Sequence, residues 1–416
     1  MNSERLRRPS KFLIYMLVLM HVLTGCVNTM ATKSDSKGVE TGPKLSSSIN
    51  NEVSKVSYSG IKLDVIIPAF SPGLSDNAAN YEEDNVWPEL RRAEANRFAY
   101  KLKKALDNTG MFGAVRVAPN NTASGDLYVL GEIVESNGVD VEFGLTVIDV
   151  SGKKWLDDNI KHEVGEGFYE NPRNAGKDAY APIFDKAASE IIDVLLAEDP
   201  ATLGELKNIA DLRFGASFND KAFVQHLDTN SNPMKLVSMP SDADPLYQRV
   251  QSVRVREQLF IDNMQPHYGG FSQQMENSYL LWQEASFTEV KLQKEAKAKS
   301  FWKIVGGVVL VAVAVAAAAN SSPYDNNISN ELTAVAAGVG GAALISSGIT
   351  SKKEAEFHQD SINELGESVN LEMSPQVVSF EEETVELTGG IDEQFDQWRQ
   401  FMARMYELEA TPSMQL

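Results

Sequence analysis

One thiol, a few imidazoles and many carboxylates are the groups in this 416-residue chain that could do chemistry. Cys26 is the only cysteine, so no internal disulfide forms; a lone thiol in an oxidising compartment needs a special reason, and its position supplies one. Beyond the first 25 residues the histidines are His162, His226, His267 and His358, none within two to five residues of another, so zinc sites of the common kinds are unsupported. Asp228-Thr229-Asn230-Ser231-Asn232 opens like a calcium loop, but Pro233 stands where glycine is needed and Met239 where the twelfth ligand belongs, so a surface loop is expected. Gly338-Val339-Gly340-Gly341 lacks the Lys-Ser/Thr ending and the preceding strand of a phosphate loop. There is no Gly-x-Ser-x-Gly elbow. A pair of acids for glycan hydrolysis stays open among 58 acidic residues, where abundance alone carries no information. No catalytic residue, metal or cofactor is therefore assigned.

Charge narrows the partners. The formal net charge is −20, and Arg5, Arg7, Arg8 and Lys11 against Glu4 give the first 25 residues +3, leaving −23 for the remainder. That sign repels phosphate backbones and disfavours nucleic acid. It equally disfavours adhesion to anionic lipid through a basic face, so membrane contact would need acylation or apolar helices.

The chain opens with a basic stretch to Lys11 and an apolar core from Phe12 to Leu23, the order of a secretory signal and too short for a comfortable membrane span. Leu23-Thr24-Gly25-Cys26 follows at once and resembles the lipobox of bacterial lipoproteins. The resemblance implies cleavage before Cys26, diacylglycerol on its thiol and acylation of the new amine. Val27, where an aspartate would favour inner-membrane retention, points the same resemblance to the outer membrane. Residues 1–25 are read as the signal and 26–59, rich in Ser, Thr, Asn, Lys and Gly, as a flexible tether.

Residues 60–200 read as an α+β sandwich with both helices on one face of the sheet. Strands are expected at Ile61 to Ile67, Ala114 to Val117, Asp126 to Ile133, Val139 to Val150 and Lys153 to Glu163. Ser136-Asn137-Gly138 signals an antiparallel hairpin. Helices are expected at Pro88 to Asn108, with Gly110 beyond its end, and at Tyr180 to Leu196. Asp126 to Ile133 followed by Leu145 to Lys153 resembles the sheet of the periplasmic domain shared by the curli-secretion channel lipoprotein and the amino-terminal domain of TolB. That resemblance implies a protein-binding or oligomer-forming module. The amphipathic strands of the channel's own transmembrane hairpins have no equivalent here.

In 201–300, two long helices are expected between Leu246 and Lys299, interrupted near Pro266 to Gly270, as a bundle or coiled-coil stalk. Residues 301–353 hold two uncharged runs, Ile304 to Tyr324 and Leu332 to Ser351, joined by a polar loop. Ala334, Gly338, Ala342 and Ser346 recur every four residues, a small-residue face suited to close helix packing or self-association. Phe301-Trp302-Lys303 and Lys352-Lys353 would anchor both ends on one side of a bilayer. The pattern resembles the glycine-zipper segments of outer-membrane lipoproteins; the alternative is a hairpin buried in a soluble bundle. In 354–416, a polar helix over Glu354 to Val369, a β-hairpin at Gln376 to Phe380 and Thr384 to Leu387, and an amphipathic helix over Asp392 to Leu408 are expected. That last helix carries Phe395, Trp398, Phe401, Met402, Met405 and Tyr406 on its apolar side, for core packing or partner docking.

These features together predict a lipid-anchored, non-enzymatic outer-membrane lipoprotein facing the periplasm, a scaffold or accessory subunit of an envelope export or assembly machine, with a homo-oligomer as its sharper form. The competing expectation is an envelope enzyme acting on glycan through acidic residues.

Overall fold

A computed structural model describes residues 58–75, 81, 86–218, 220–305, 360–364, 366, 371, 373–380 and 383–408. The class is α+β, as expected. A five-stranded sheet is built from β1 (Val65–Pro68), β2 (Val115–Ala118), β3 (Leu127–Ser136), β4 (Asp140–Asp149) and β5 (Lys154–Glu163) in the order β2-β1-β3-β4-β5. β1 runs parallel to β2 and β3, whereas β3, β4 and β5 form an antiparallel meander. Helices α1 (Pro88–Thr109) and α2 (Ala181–Leu196) lie over one face and against each other. Their shared core is aromatic: Phe98 of α1 sits 5.3 Å from Phe184 of α2 and 6.2 Å from Phe143 of β4.

The two halves of the sheet are clad differently, and their sequences say why. The parallel part is apolar almost continuously, and Val65, Ile66 and Ile67 are all fully buried, as a strand covered on both faces requires. The meander alternates instead. On β4, Val141, Phe143, Leu145 and Val147 point into the helical core while Gly144, Thr146 and Ile148 are half-buried on the other face. The Asn137-Gly138 turn closes β3 onto β4 with Gly138 at φ 89°, and Gly110 caps α1 at φ 66°.

After residue 200 the chain adds α3 (Pro200–Ala216), a small pairing of β6 (Leu227–Asp228) with β7 (Lys235–Leu236), and α4 (Pro245–Val305). β8 (Gln376–Phe380), β9 (Glu383–Leu387) and α5 (Ile391–Leu408) complete the described residues, forming the expected hairpin and helix. Phe395, Trp398, Phe401, Met402, Met405 and Tyr406 are all buried, and Trp398 stacks on Phe260 of α4 at 5.5 Å. The apolar stripe of α5 is thus packed in the core. Elements on either side of residue 200 contribute to that same core.

One expectation is corrected. The chain does not break at Pro266 to Gly270; α4 is a single helix of 61 residues with Pro266 inside it. A proline in a helix interior costs about 3 kcal/mol through a lost hydrogen bond and a clash with the preceding turn. Here Ile261 and Met264 before it and Tyr268 and Phe271 after it are all buried, and their apolar burial outweighs that penalty. Gly269 has a packing reason as well, since a β-carbon there would lie 2.9 Å from the Tyr100 hydroxyl of α1. Pro266 itself is exposed. Pro266→Ala is expected to raise stability to denaturant by about 1–3 kcal/mol. No gain would mean that the packing of α4 depends on a distortion at this turn.

Side chains of α4 also finish the sheet. Gln265 accepts the Val117 N–H at 3.0 Å and donates to the Val117 carbonyl at 2.8 Å, occupying the outer edge of β2 as a neighbouring strand would. Arg116 grips Asp262 with two nitrogens, at 2.6 and 3.0 Å. Among the described residues no helix is long and apolar enough to cross a membrane. The description of α4 ends at Val305, so the expected hairpin lies outside the described residues apart from its first five positions.

Candidate functional site

The residues singled out for lipidation and helix packing, namely Leu23, Thr24, Gly25, Cys26, Ala334, Gly338, Ala342 and Ser346, lie outside the described residues, as do the signal and the tether up to residue 57. The described histidines stand on separate elements, His162 on β5, His226 before β6 and His267 on α4. The Asp228 run forms the turn between β6 and β7 and bonds to itself. Asp228 accepts the Asn230 N–H at 3.1 Å and the Ser231 hydroxyl at 2.6 Å, the surface loop that was expected.

Buried charge converges on α4. Arg97 of α1, fully buried, donates to Asp178 at 2.7 Å, to Glu276 at 2.5 Å and to the Ser272 carbonyl at 3.2 Å, and its guanidinium lies 4.4 Å from the centre of the Tyr279 ring. Burial pulls Asp178 upward, but Arg97 and Lys101 beside it, with hydrogen bonds from Gln283 and the Tyr180 N–H, hold its carboxyl below the ordinary value. One turn earlier on α1, Glu94 accepts the hydroxyls of Ser136 at 2.5 Å and Tyr279 at 2.7 Å. Burial pushes the Glu94 carboxyl up, only partly offset by Arg91 and those two hydroxyls. A third centre is Asp126, fully buried, which receives the Asp64 N–H at 2.8 Å, Lys207 of α3 at 3.0 Å and Arg254 of α4 at 3.1 Å. Each carboxylate at these centres faces a cation or hydroxyl from another element, so together they fasten α4 and α3 to the sheet.

Two cavities adjoin this framework. The larger, about 430 Å³, lies between the segment from β5 to α2 and α4, and is lined by Tyr169, Lys177, Asn277, Leu280, Leu281 and Glu284 among others. The Tyr169 hydroxyl is buried there without a hydrogen-bond partner among the described residues, and burial with the nearby Glu284 and Asp178 carboxylates holds the phenol far above its ordinary value, so it stays protonated and can still donate or accept a hydrogen bond. The smaller, about 210 Å³, is lined by Phe70, Arg92, Asn96, Tyr268 and Asp392 among others. Among the described residues, Glu284 is the carboxylate lining the larger cavity and Asp392 the one lining the smaller.

Among the described residues, the face of the meander away from α1 and α2 is an extended, largely polar surface. Its cross-strand rows are Leu130, Thr146 and Asp157; Glu132, Gly144 and Asn159; and Glu135, Glu142 and Lys161. Lys161 bridges to Glu142 at 2.7 Å, Asn159 donates to Glu142 at 2.6 Å and Thr146 donates to Asp157 at 3.1 Å. Val134, at the bulge in β3, is half in solvent, and Asp157, Asn159 and Lys161 are exposed. This face ends at β5, whose outer edge no described strand occupies. The arrangement offers a ladder-like surface with outward backbone donors and acceptors at its rim.

Reading the sequence missed the buried charges, although a signal was there. Glu94 and Arg97 fall on the same stripe of α1 as Leu90, Ala93, Phe98 and Leu102, and a charge inside an apolar stripe implies a buried partner. No family model, no curated protein and no solved structure matches this chain.

Proposed function

We propose that this chain is a lipid-anchored envelope protein, tethered through Cys26 to the outer membrane, that works as a scaffold or accessory subunit by binding other polypeptides along its sheet. The observation that carries the reading is the exposed polar face of β3, β4 and β5, whose rim at β5 no described strand occupies, presented by a domain whose buried ion pairs are consumed in holding its own helices. The anchor is supported by Leu23-Thr24-Gly25-Cys26 behind a basic and then apolar stretch. The binding role is supported by the same surface, since sheet rims recognise extended segments through main-chain hydrogen bonds. Small side chains at 334, 338, 342 and 346 add a surface for helix association.

The test is partition between membrane and buffer. The wild-type chain is expected in the membrane fraction, and Cys26→Ser is expected in buffer once residues 301–353 are also removed. If Cys26→Ser with the segment intact still enters membrane, the segment is a second anchor. If the wild-type chain itself stays in buffer, the anchored reading falls.

A further inference from the structure

The two edges of the sheet are finished differently. The outer edge of β2 is occupied by Gln265, while β5, ten residues long, has β4 on one side and no described strand on the other. Which of its backbone groups point outward follows from the pairing. The Val164 N–H reaches back to the Val139 carbonyl, and the Asn159 N–H bonds instead to the Asp158 side chain at 2.7 Å. In an antiparallel strand these directions alternate, so even-numbered residues from 158 onward bond to β4, and Asp157, Asn159 and Lys161 turn their N–H and C=O groups outward. Their side chains all stand on the face away from α1 and α2.

Charge blunts this edge against most strands. Any antiparallel newcomer must set its own outward residues opposite these three, which leaves few registers for a second β5. Centring the twofold axis on Asp157 or on Lys161 places like charges face to face. Centring it between Asn159 and Lys161 sets Asp157 against Glu163, both acidic, and centring it between Asp157 and Asn159 leaves both charges opposite uncharged residues, Asn159 and Trp155. Centring it on Asn159 alone puts Asp157 of each copy opposite Lys161 of the other and pairs the two Asn159 amides on the axis.

We propose that β5 pairs antiparallel with β5 of a second copy in this register, joining two sheets into one of ten strands across a twofold axis at Asn159. The Lys161 ammonium, already 2.7 Å from Glu142, then lies between two acids, continuing the cross-strand ladder from one subunit into the next. The Asp158 carboxylate releases the Asn159 N–H to the opposing carbonyl. The proposal names one partner for the surface described above, and so rests on reading that surface as a binding site; it does not require the lipid anchor.

The experiment is sedimentation of the full chain in detergent as wild type, Asp157→Lys, Lys161→Asp and the double variant. Either single change sets like charges opposite each other twice per dimer; both side chains are exposed, and thermal melting of each variant checks that the subunit keeps its fold without the Lys161–Glu142 or Lys154–Asp157 bridge. The expected result is a wild-type dimer, at least about tenfold weaker association in each single variant, and recovery in the double. A second readout catches a weak dimer. Directly opposed residues are about 5.5 Å apart between α-carbons, within disulfide range. Asn159→Cys in a Cys26→Ser chain is therefore expected to give a covalent dimer with oxidised glutathione, and to lose it when Asp157→Lys is added. A wild-type monomer that also fails to cross-link, association untouched by the single changes, or a double variant that does not recover would each overturn the pairing. Failure here with normal membrane partition leaves the scaffold reading standing, and the reverse pattern leaves the dimer standing without the anchor.

Discussion

Arg97→Met is expected to lower the free energy of unfolding by about 3–5 kcal/mol, measured in urea, because it leaves the Asp178 carboxylate buried beside a methionine. The guanidinium is almost wholly buried and ties α1 to two other segments at once, the one before α2 through Asp178, and α4 through Glu276 and the Ser272 carbonyl. Adding Asp178→Asn to Arg97→Met removes the stranded charge, so the double variant is expected to recover part of the loss, and the cycle measures the pair itself. A loss under about 1 kcal/mol would show that Lys101, 3.6 Å from Asp178, takes over neutralisation. The pH dependence has a definite sign. Asp178 is held below the ordinary carboxylate value, so its contribution is complete above the unfolded pKa and lost as pH falls through the depressed one. Glu94 works in the opposite direction. Burial raises its carboxyl, so its contribution is complete below the unfolded pKa and lost as pH rises through the raised one.

Gly138→Ala is the second large effect, expected at about 2–5 kcal/mol, the sum of a left-handed backbone cost and an overpacking cost. At φ 89° a β-carbon is strained wherever it points, and here it would also meet Ser286 and lie 2.6 Å from the Phe287 backbone nitrogen in α4. Gly152 supplies the control. It closes the next turn at φ 90° with nothing within 4 Å of the β-carbon position, so Gly152→Ala is expected to cost only the backbone term, about 1–2 kcal/mol. The difference between the two variants reads how tightly the β3–β4 hairpin is pressed against α4. Equal losses would mean that α4 yields at Ser286 and that the contact is soft. In the proposed scaffold role this contact would set the position of the hairpin at which the exposed sheet surface begins.

Much of this was legible because it is local. The Asn137-Gly138 turn, the Pro88 start and Gly110 end of α1, the alternation from Val141 to Val147, and the stripe of Phe395, Trp398 and Phe401 on α5 each state their conformation within one or two turns of chain. The same holds for the basic, apolar and Leu-Thr-Gly-Cys order at the start, which sets an expectation about address without any fold at all. Other features could be legible only as anomalies. A glutamate and an arginine on a buried stripe announce that partners exist, but not that they are Tyr279, Asp178 and Glu276, which lie about 80 to 185 residues away.

By itself, then, the sequence determined the α+β class, the meander and its turn, the helices on either side and the charged composition of β5. Tertiary structure alone decided that β1 lies between β2 and β3, that α4 runs unbroken through Pro266, and that one sheet edge is filled by Gln265 while the other is left with Asp157, Asn159 and Lys161 facing outward. The physical reason is range. Turn and periodicity preferences act between neighbours and amount to about 1 kcal/mol apiece, whereas strand order, a tolerated proline and an occupied edge depend on burial summed over residues far apart in the chain.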